Sequence, residues 1–496
     1  MDFVGLAFFL PAASPTWPLL NLVTRQRFAS TFPRVVIMFG GFIALYLAIL
    51  GLILLWVPSV LPWLAAGAVA WNVGLWWRSR NGYGASRKLP PGTLAILPPG
   101  PWVDHWHYLE LARTYGPIFK ASHFFHPMVC MTNLESGLRL LKEHDDVRLR
   151  SPKVAADRFL PCGFMRGMDP EHHQIYRKLI QSLITPRVIG AWEPSISADV
   201  SDALSGLNRT AGPVYAKPAW DRLLMRSFSR LFFGIAPDSD GFRQLQAALG
   251  TIALVANRRI SVPWLPSERR AERVLADLCQ LLREQTAPDC FLAELRRQPE
   301  FAHSEQALRL LVFMMYLGAS DMAGLLQWTM KVACDFPDEV FRVRSAVEGS
   351  ASKESLASLC RRFTLETLRR HQVEHLYRQV LEDIEWEGFH IPKGWMLRIC
   401  LAEAHRDPAV FSNAGRFEPD RFVTDPPNQN RFLPFGASRR SCLGDGVAHA
   451  FVGQFLRTLA NGWNCRQIGE SHEDYRAWHW TPGSDFRFTL EARPLE

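Results

Sequence analysis

The sequence predicts a mainly α-helical domain with small β-sheets, preceded by an N-terminal membrane anchor. Helical patterns dominate from Asp169 to Cys334 and again from Glu354 to Arg370. β-prone residues surround Gly388 in the stretch IEWEGFHIPKGWMLRI, where glycine and proline indicate a strand pair with a turn. From Val35 to Trp77 there is no charged residue, which is typical of a segment that enters a bilayer.

Composition narrows the class of protein further. The chain has 496 residues and 48% hydrophobic residues, enough to build a sizeable core. Its formal net charge is +8, but the basic residues are scattered, so no nucleic-acid partner is expected. The nine cysteines are widely spaced and include no CxxC pair. This argues against a disulfide framework and a zinc site, and it fits a reducing compartment.

The N-terminal region divides into three segments. Residues 1–34 form a juxtamembrane segment, and residues 35–77 form an anchor of one or two transmembrane helices. A helical hairpin would turn at Trp56–Ser59 and place the arginines on both flanks in the cytosol; a single tilted helix with an interfacial segment is the alternative. Residues 78–101 are a basic, proline-rich hinge that neither helix nor strand can cross.

The folded domain is expected to fill residues 102–496. Its first elements are a helix over Trp106–Tyr115 and a strand hairpin in IFKASHFFHPMVCMTN. Ser304 can cap a long apolar helix that runs to about Cys334. A third transmembrane helix is the alternative, but a central Asp321 costs ~3 kcal/mol on insertion scales. A buried core helix is therefore the preferred interpretation.

The most specific stretch is FLPFGASRRSCLG, residues 432–444, which places Cys442 just before a helix-like segment. A helix N-terminus and its free N–H groups stabilise a thiolate over a thiol. A thiolate held in this way is an iron ligand, and in haem enzymes it supplies electron density that favours O–O cleavage. This stretch resembles the haem-binding signature of the cytochrome P-450 family, with matches at Phe435, Arg440, Cys442 and Gly444. Ser438 stands where the family usually has glycine.

The resemblance implies a cofactor, haem b, and a role for each matching residue. Cys442 would be the axial ligand of the iron, Phe435 would pack beside the thiolate, and Arg440 would pair with a haem propionate. Glu366 and Arg369 match the family's Glu-x-x-Arg, and the i,i+3 spacing places both on one helix face. Arg421 would complete a structural triad with them, although Arg370 is an alternative partner for Glu366.

Three further residues resemble the family's propionate ligands. His173 and Arg177 lie one helical turn apart in a segment similar to the family's helix at the haem edge, and His172 is a register alternative to His173. Arg378, ten residues before Gly388, stands where the family has a propionate-binding arginine.

The long helix resembles the family's central helix, whose motif is (Ala/Gly)-Gly-x-(Asp/Glu)-Thr. Here the motif reads Gly318-Ala319-Ser320-Asp321-Met322. Asp321 is expected to relay protons through water. Met322 replaces the threonine that delivers protons in the family, and a thioether has none to give. Ser320 lies about 200° around the helix from Met322 and is a poor direct substitute.

The resemblance thus predicts a eukaryotic, membrane-anchored haem-thiolate monooxygenase, and a fungal biosynthetic member is expected. It would oxidise an apolar terpenoid or polyketide with dioxygen, using electrons from an NADPH-dependent flavoprotein reductase. Anchorage in membrane lipid predicts the endoplasmic reticulum membrane, with the catalytic domain in the cytosol. Because of Met322, non-standard chemistry such as rearrangement, desaturation or ring formation remains an alternative. A non-catalytic membrane haem-binding protein is a second alternative.

Overall fold

The structure is a computed structural model, and it describes residues 63, 66–67, 70, 88–92, 94, 107–123, 126–209, 212–256, 265–349, 355–371, 376–424, 426–428, 430–476 and 479–493. The predicted anchor and hinge lie almost wholly outside the described residues. Within this part of the chain the fold is mainly helical with small sheets, as the sequence predicts.

The helices are α1 His107–Tyr115, α2 Leu134–His144, α3 Pro170–Leu183, α4 Pro186–Asn208, α5 Ala216–Phe233, α6 Asp240–Ala256, α7 Pro266–Glu284, α8 Phe291–Arg296, α9 Glu305–Asp335, α10 Pro337–Val347, α11 Leu356–Arg370, α12 Leu401–Ala404, α13 Arg421–Thr424 and α14 Asp445–Gly462. In the part of the chain that the structure describes, 3-10 helices span Ala155–Phe159 and Ser438–Arg440. Capping residues explain several starts: the Asp169 side chain accepts hydrogen bonds from the N–H groups of Glu171 and His172 at α3, and Ser304 accepts one from Ala307 at α9.

The strands are β1 Ile118–His123, β2 His126–Met131, β3 Leu149–Arg150, β4 Val214–Tyr215, β5 Leu376–Val380, β6 Ile384–Trp386, β7 Phe389–Ile391, β8 Met396–Ile399, β9 Trp463–Gln467, β10 Glu473–Arg476, β11 His479–Pro482 and β12 Arg487–Ala492. The chain divides into two compact units. Unit 1 contains the described residues up to Arg150 together with Leu376–Glu403, and unit 2 contains Ser151–His375 and Ala404–Glu496.

Unit 1 is built on a five-stranded sheet in the order β1-β2-β8-β5-β3. The predicted hairpin is present: β1 and β2 pair antiparallel, with Ile118 opposite Met131. The predicted strand pair near Gly388 is β6 and β7, which also pair antiparallel. Glu387 and Gly388 turn between these strands with φ of 46° and 78°, a conformation that glycine adopts without steric cost.

Unit 2 is organised around α9, which packs along α5 and also contacts α11, β9 and β11. α14 packs against α4, α10 and α11. Within the described residues, α9 is long and apolar enough to cross a membrane, but 61% of its most apolar window is buried inside the protein. That burial is what a core helix needs, because an all-round apolar surface must be covered on every side.

Candidate functional site

The loop that carries Cys442 is held by its own backbone. The Cys442 N–H donates to the Phe435 carbonyl at 2.8 Å, which closes the loop, and the Gly444 N–H donates to the Cys442 sulfur at 3.3 Å. α14 begins at Asp445, so the sulfur lies at a helix N-terminus as predicted. Donated N–H groups and the helix dipole both favour the thiolate at this position.

The Cys442 side chain opens into interior space. Its surface is exposed, yet burial raises the pKa of its thiol, which would not occur at the outer surface of the protein. The negative charges of Asp321 and Asp445 also raise this pKa. The thiol therefore lies within electrostatic range of the middle of α9, with open space beside it.

The last three residues of the α9 motif, Ser320, Asp321 and Met322, lie in different surroundings. Ser320 and Asp321 are exposed although they lie near the middle of a mostly buried helix. Met322 is only 7% exposed and belongs to the main apolar core of unit 2. Successive helical residues point about 100° apart, which separates Met322 from its neighbours. The residue at the family's threonine position thus packs in the core, while Ser320 and Asp321 are the polar groups that are accessible.

Gly318 has a packing role on the same helix. A Cβ atom at this position would lie 3.5 Å from a ring carbon of Phe228 on α5, so the two helices approach closely here. Met314, Leu317 and Asp321 succeed one another at helical spacing, and none of the three is fully buried. The helix therefore presents apolar side chains next to the carboxylate.

Two arginines brace the thiolate loop. Arg177 on α3 donates to the Ser441 carbonyl at 2.8 Å and to the Ser441 hydroxyl at 3.0 Å, directly beside Cys442. Arg440 donates to the carbonyls of Met165, Arg166 and Met168 at 2.9–3.0 Å. Burial lowers the pKa of Arg177 from its usual value. A guanidinium carries a positive charge and several N–H donors, which is the chemistry that binds an anionic ligand.

The structure distinguishes the two histidines of α3. His173 is 4% exposed and faces inward. The His172 ring lies 2.7 Å from the Asp169 carboxylate at the start of the helix, with nearly half of its side chain exposed. His173 and Arg177 lie at i and i+4 on α3. Their role as propionate ligands stays a prediction.

The Glu366, Arg369 and Arg421 side chains form a buried cluster. Arg369 binds both carboxylate oxygens of Glu366 at 2.7 and 2.8 Å, and the Arg421 Nε lies 3.1 Å from each. Glu366 and Arg369 are both fully buried. Arg369 also donates to the carbonyls of His405, Ala414 and Arg416, and so fixes the segment ahead of the thiolate loop.

Two histidines that the sequence did not indicate support the thiolate loop. The Leu433 N–H donates to His405 Nε2 at 2.9 Å, and burial lowers the pKa of His405 to about 3. The His449 ring lies edge-on to Phe435, with 5.8 Å between centroids, and burial lowers its pKa to about 4. Neither stands in a recognisable motif. Only the position of His449, seven residues after Cys442 and little more than one turn into α14, could have indicated it.

Arg378 belongs to unit 1. Its guanidinium pairs with the Asp145 carboxylate through hydrogen bonds of 2.6 and 3.0 Å, and both side chains are buried. Asp145 was not anticipated as its partner, because 233 residues separate the two in sequence. The propionate role of Arg378 stays a prediction.

Together, an open interior space, a cysteine sulfur at a helix N-terminus and flanking cationic side chains define a haem-thiolate protein. The donor set fits haem b: one thiolate for the iron, cations near the loop for two propionates, and an exposed carboxylate on the long helix. Comparisons with known proteins agree with this class. The family profile described as Cytochrome P450 matches residues 358–462.

Among curated relatives, the (+)-piperitol/(+)-sesamin synthase of Sesamum radiatum is 30% identical over 432 residues, covering 75% of this chain and 84% of the relative. Abscisic acid 8'-hydroxylase 3 of Oryza sativa is 24% identical over 437 residues, covering 80% of this chain and 85% of the relative. A solved structure, retinoic acid-bound cyanobacterial CYP120A1, superimposes with a TM-score of 0.69 at 20% identity, covering 82% of this chain and all of that one. The chain belongs to the cytochrome P450 family. It is accordingly an oxidoreductase of the monooxygenase type that uses haem b.

Proposed function

We propose that this protein inserts oxygen from dioxygen into an apolar small molecule at a haem-thiolate centre, with electrons from an NADPH-dependent flavoprotein reductase. The observation that carries the proposal is the arrangement of Asp321 and Cys442, which interact electrostatically beside interior space. Cys442 supplies a soft ligand for the iron, and Asp321 can exchange protons with water.

When bound, haem supplies the one-electron and dioxygen chemistry that amino acids cannot perform. Cys442 would hold the iron. Arg177, Arg440 and His173 would hold the propionates, since carboxylates bind best to charged N–H donors. Asp321 would pass protons from water into the site, and Ser320 beside it could hold a water by its hydroxyl. Met314 and Leu317, at helical spacing from Asp321, would contact the apolar substrate and limit access of water.

The position of Met322 bears on the alternative of non-standard chemistry. Its side chain is buried in the core, so a proton relay, if it operates, depends on Asp321 and Ser320. A rearrangement, desaturation or ring closure would need less from such a relay. The two functions differ in whether an oxygen atom from dioxygen remains in the product.

Membrane anchorage, location and pathway are proposals that rest on the sequence. The charge-free stretch 35–77 with arginines on both flanks supports a segment in membrane lipid and a cytosolic catalytic domain, as in the endoplasmic reticulum. Arg439 is exposed beside the thiolate loop and could contribute to a basic docking surface for the reductase. The two curated relatives above come from plants; a biosynthetic role in specialised metabolism, in a fungus, is our preferred setting.

The proposal is tested by turnover under labelled dioxygen with reductase and a lipophilic extract. We expect label in a product, and a carbon monoxide complex of thiolate type that Cys442→Ser abolishes. Asp321→Asn should reduce product formation about 10²-fold or more, since proton relays contribute about 10²–10⁴-fold. Asp335→Asn is the matched control, because Asp335 ends the same helix in a partly exposed pair with Lys331. Unlabelled product would favour the non-standard chemistry. If the wild type formed no product at all, both the monooxygenase and the non-standard chemistry would be contradicted.

A further inference from the structure

A buried glutamine joins the long helix α9 to the segment that precedes α3. Gln306 lies in the first turn of α9 and is 4% exposed. Its side-chain oxygen accepts a hydrogen bond from the Cys162 N–H at 2.9 Å, and its side-chain nitrogen donates to the Gly163 carbonyl at 2.9 Å. Both halves of the amide are therefore bonded to the backbone of residues Cys162–Met168, which we call the bridge segment.

The other end of the bridge segment is bound to the thiolate loop. Arg440 lies two residues before Cys442. Its guanidinium donates three hydrogen bonds of 2.9–3.0 Å to carbonyls of the bridge segment, those of Met165, Arg166 and Met168. A guanidinium presents its donors in a fixed planar arrangement, so three bonds to one segment define the orientation of the loop as well as its distance.

A carboxylate holds the middle of the bridge segment. Asp157 accepts hydrogen bonds from the N–H groups of Phe164 at 2.6 Å and Val154 at 2.5 Å. A Cβ atom at Gly167 would lie 2.6 Å from a carboxylate oxygen of Asp157, so the segment wraps closely around this side chain. Because the segment is bonded at both ends and in the middle, a displacement at one end is transmitted to the other.

We propose that Gln306 is a positioning residue for the reaction, which acts through the bridge segment and Arg440 to set the place of Cys442 relative to α9. This inference rests on the proposed function, because that function requires Asp321 on α9 and Cys442 on the loop to act together. Gln306 stands fifteen residues, about 22 Å of helix, before Asp321, and α9 is continuous over this stretch. Helix, bridge segment and loop therefore form one path between the carboxylate and the thiolate.

Gln327 on the same helix is a matched control. It is 3% exposed, as buried as Gln306, but its side-chain nitrogen donates to the Ala323 carbonyl of its own helix, at 3.1 Å. Replacing either glutamine by methionine removes a buried amide and keeps a side chain of similar length. Of the two variants, Gln306→Met alone releases the bridge segment. The comparison separates loss of the path from general destabilisation.

The test uses the haem-loaded full chain without substrate or reductase, so its outcome does not depend on whether the proposed function is correct. In Gln306→Met, haem should transfer to apomyoglobin about tenfold faster than in the wild type, because two lost hydrogen bonds leave buried backbone groups unsatisfied. A larger share of the reduced carbon monoxide complex should be of thiol type. The amide hydrogens of the thiolate loop should exchange faster with solvent. Gln327→Met should leave all three measurements unchanged.

A double variant tests whether the two ends act through the same segment. Arg440→Lys keeps the positive charge and loses the planar set of donors. If both residues act through the bridge segment, the combined variant should transfer haem at nearly the rate of the faster single variant. Should Gln306→Met fail to load haem, Asp157→Asn loosens the same segment and should give the same three changes. Effects that multiply in the double variant, or a Gln306→Met protein that behaves like Gln327→Met, would overturn the proposal.

Discussion

Glu366 offers a sharp test of what holds the thiolate loop in place. Its carboxylate accepts hydrogen bonds from Arg369, Arg421 and the Glu418 N–H, all within 3.1 Å. Glu366→Gln keeps the shape of the side chain and removes its negative charge. Two guanidinium groups, one fully buried and the other 8% exposed, would then face a neutral amide.

The size of the effect follows from that burial. Removing one partner of a buried ion pair costs about 3–5 kcal/mol, because the remaining charge has lost its compensation without regaining water. That cost equals about 10²- to more than 10³-fold in the ratio of folded to unfolded protein. It is also a large part of the roughly 5–15 kcal/mol that stabilises a typical domain. We expect a lower urea midpoint and a smaller haem-loaded fraction.

Glu418→Gln is the matched comparison. Glu418 also pairs with Arg421, at 3.1 Å, but its side chain is 46% exposed. Removing an exposed partner should cost about 1 kcal/mol or less. Urea denaturation and the absorbance of the reduced carbon monoxide complex would be measured for both variants. If Glu366→Gln were as stable and as fully loaded with haem as Glu418→Gln, the cluster could not be what fixes the loop.

Two other substitutions test the supports of the loop. Burial, with a contribution from the charge of Arg369, lowers the pKa of His405 to about 3. At pH 5 the imidazole of His405 is therefore neutral in the folded protein but protonated in the unfolded chain. Stability should fall by about 2 kcal/mol between pH 8 and pH 5 from this residue, and His405→Gln should abolish that part of the decrease in the urea midpoint. Ser438 has a φ of 61°, a left-handed conformation that costs a non-glycine residue about 1–2 kcal/mol. Ser438→Gly should therefore raise the urea midpoint. An unchanged or lower midpoint would show that the backbone of Ser438 is not strained.

The sequence alone was sufficient for the class of fold and for the ligand-bearing loop. Periodicity predicts the long α9 helix, its serine cap and the hairpin of unit 1, because these depend on residues close together in the chain. The segment around Cys442 is also local: a turn, a cysteine and a helix start. Its resemblance to a known signature therefore led to the family that the comparisons confirm.

Only the tertiary structure decided which neighbours each predicted residue has. It placed His173 inward and His172 at the surface, paired Arg378 with Asp145, and buried Met322 while leaving Asp321 accessible. Local sequence determines helices, strands and turns, but burial and long-range pairing depend on how these elements pack, and that information is distributed over the whole chain.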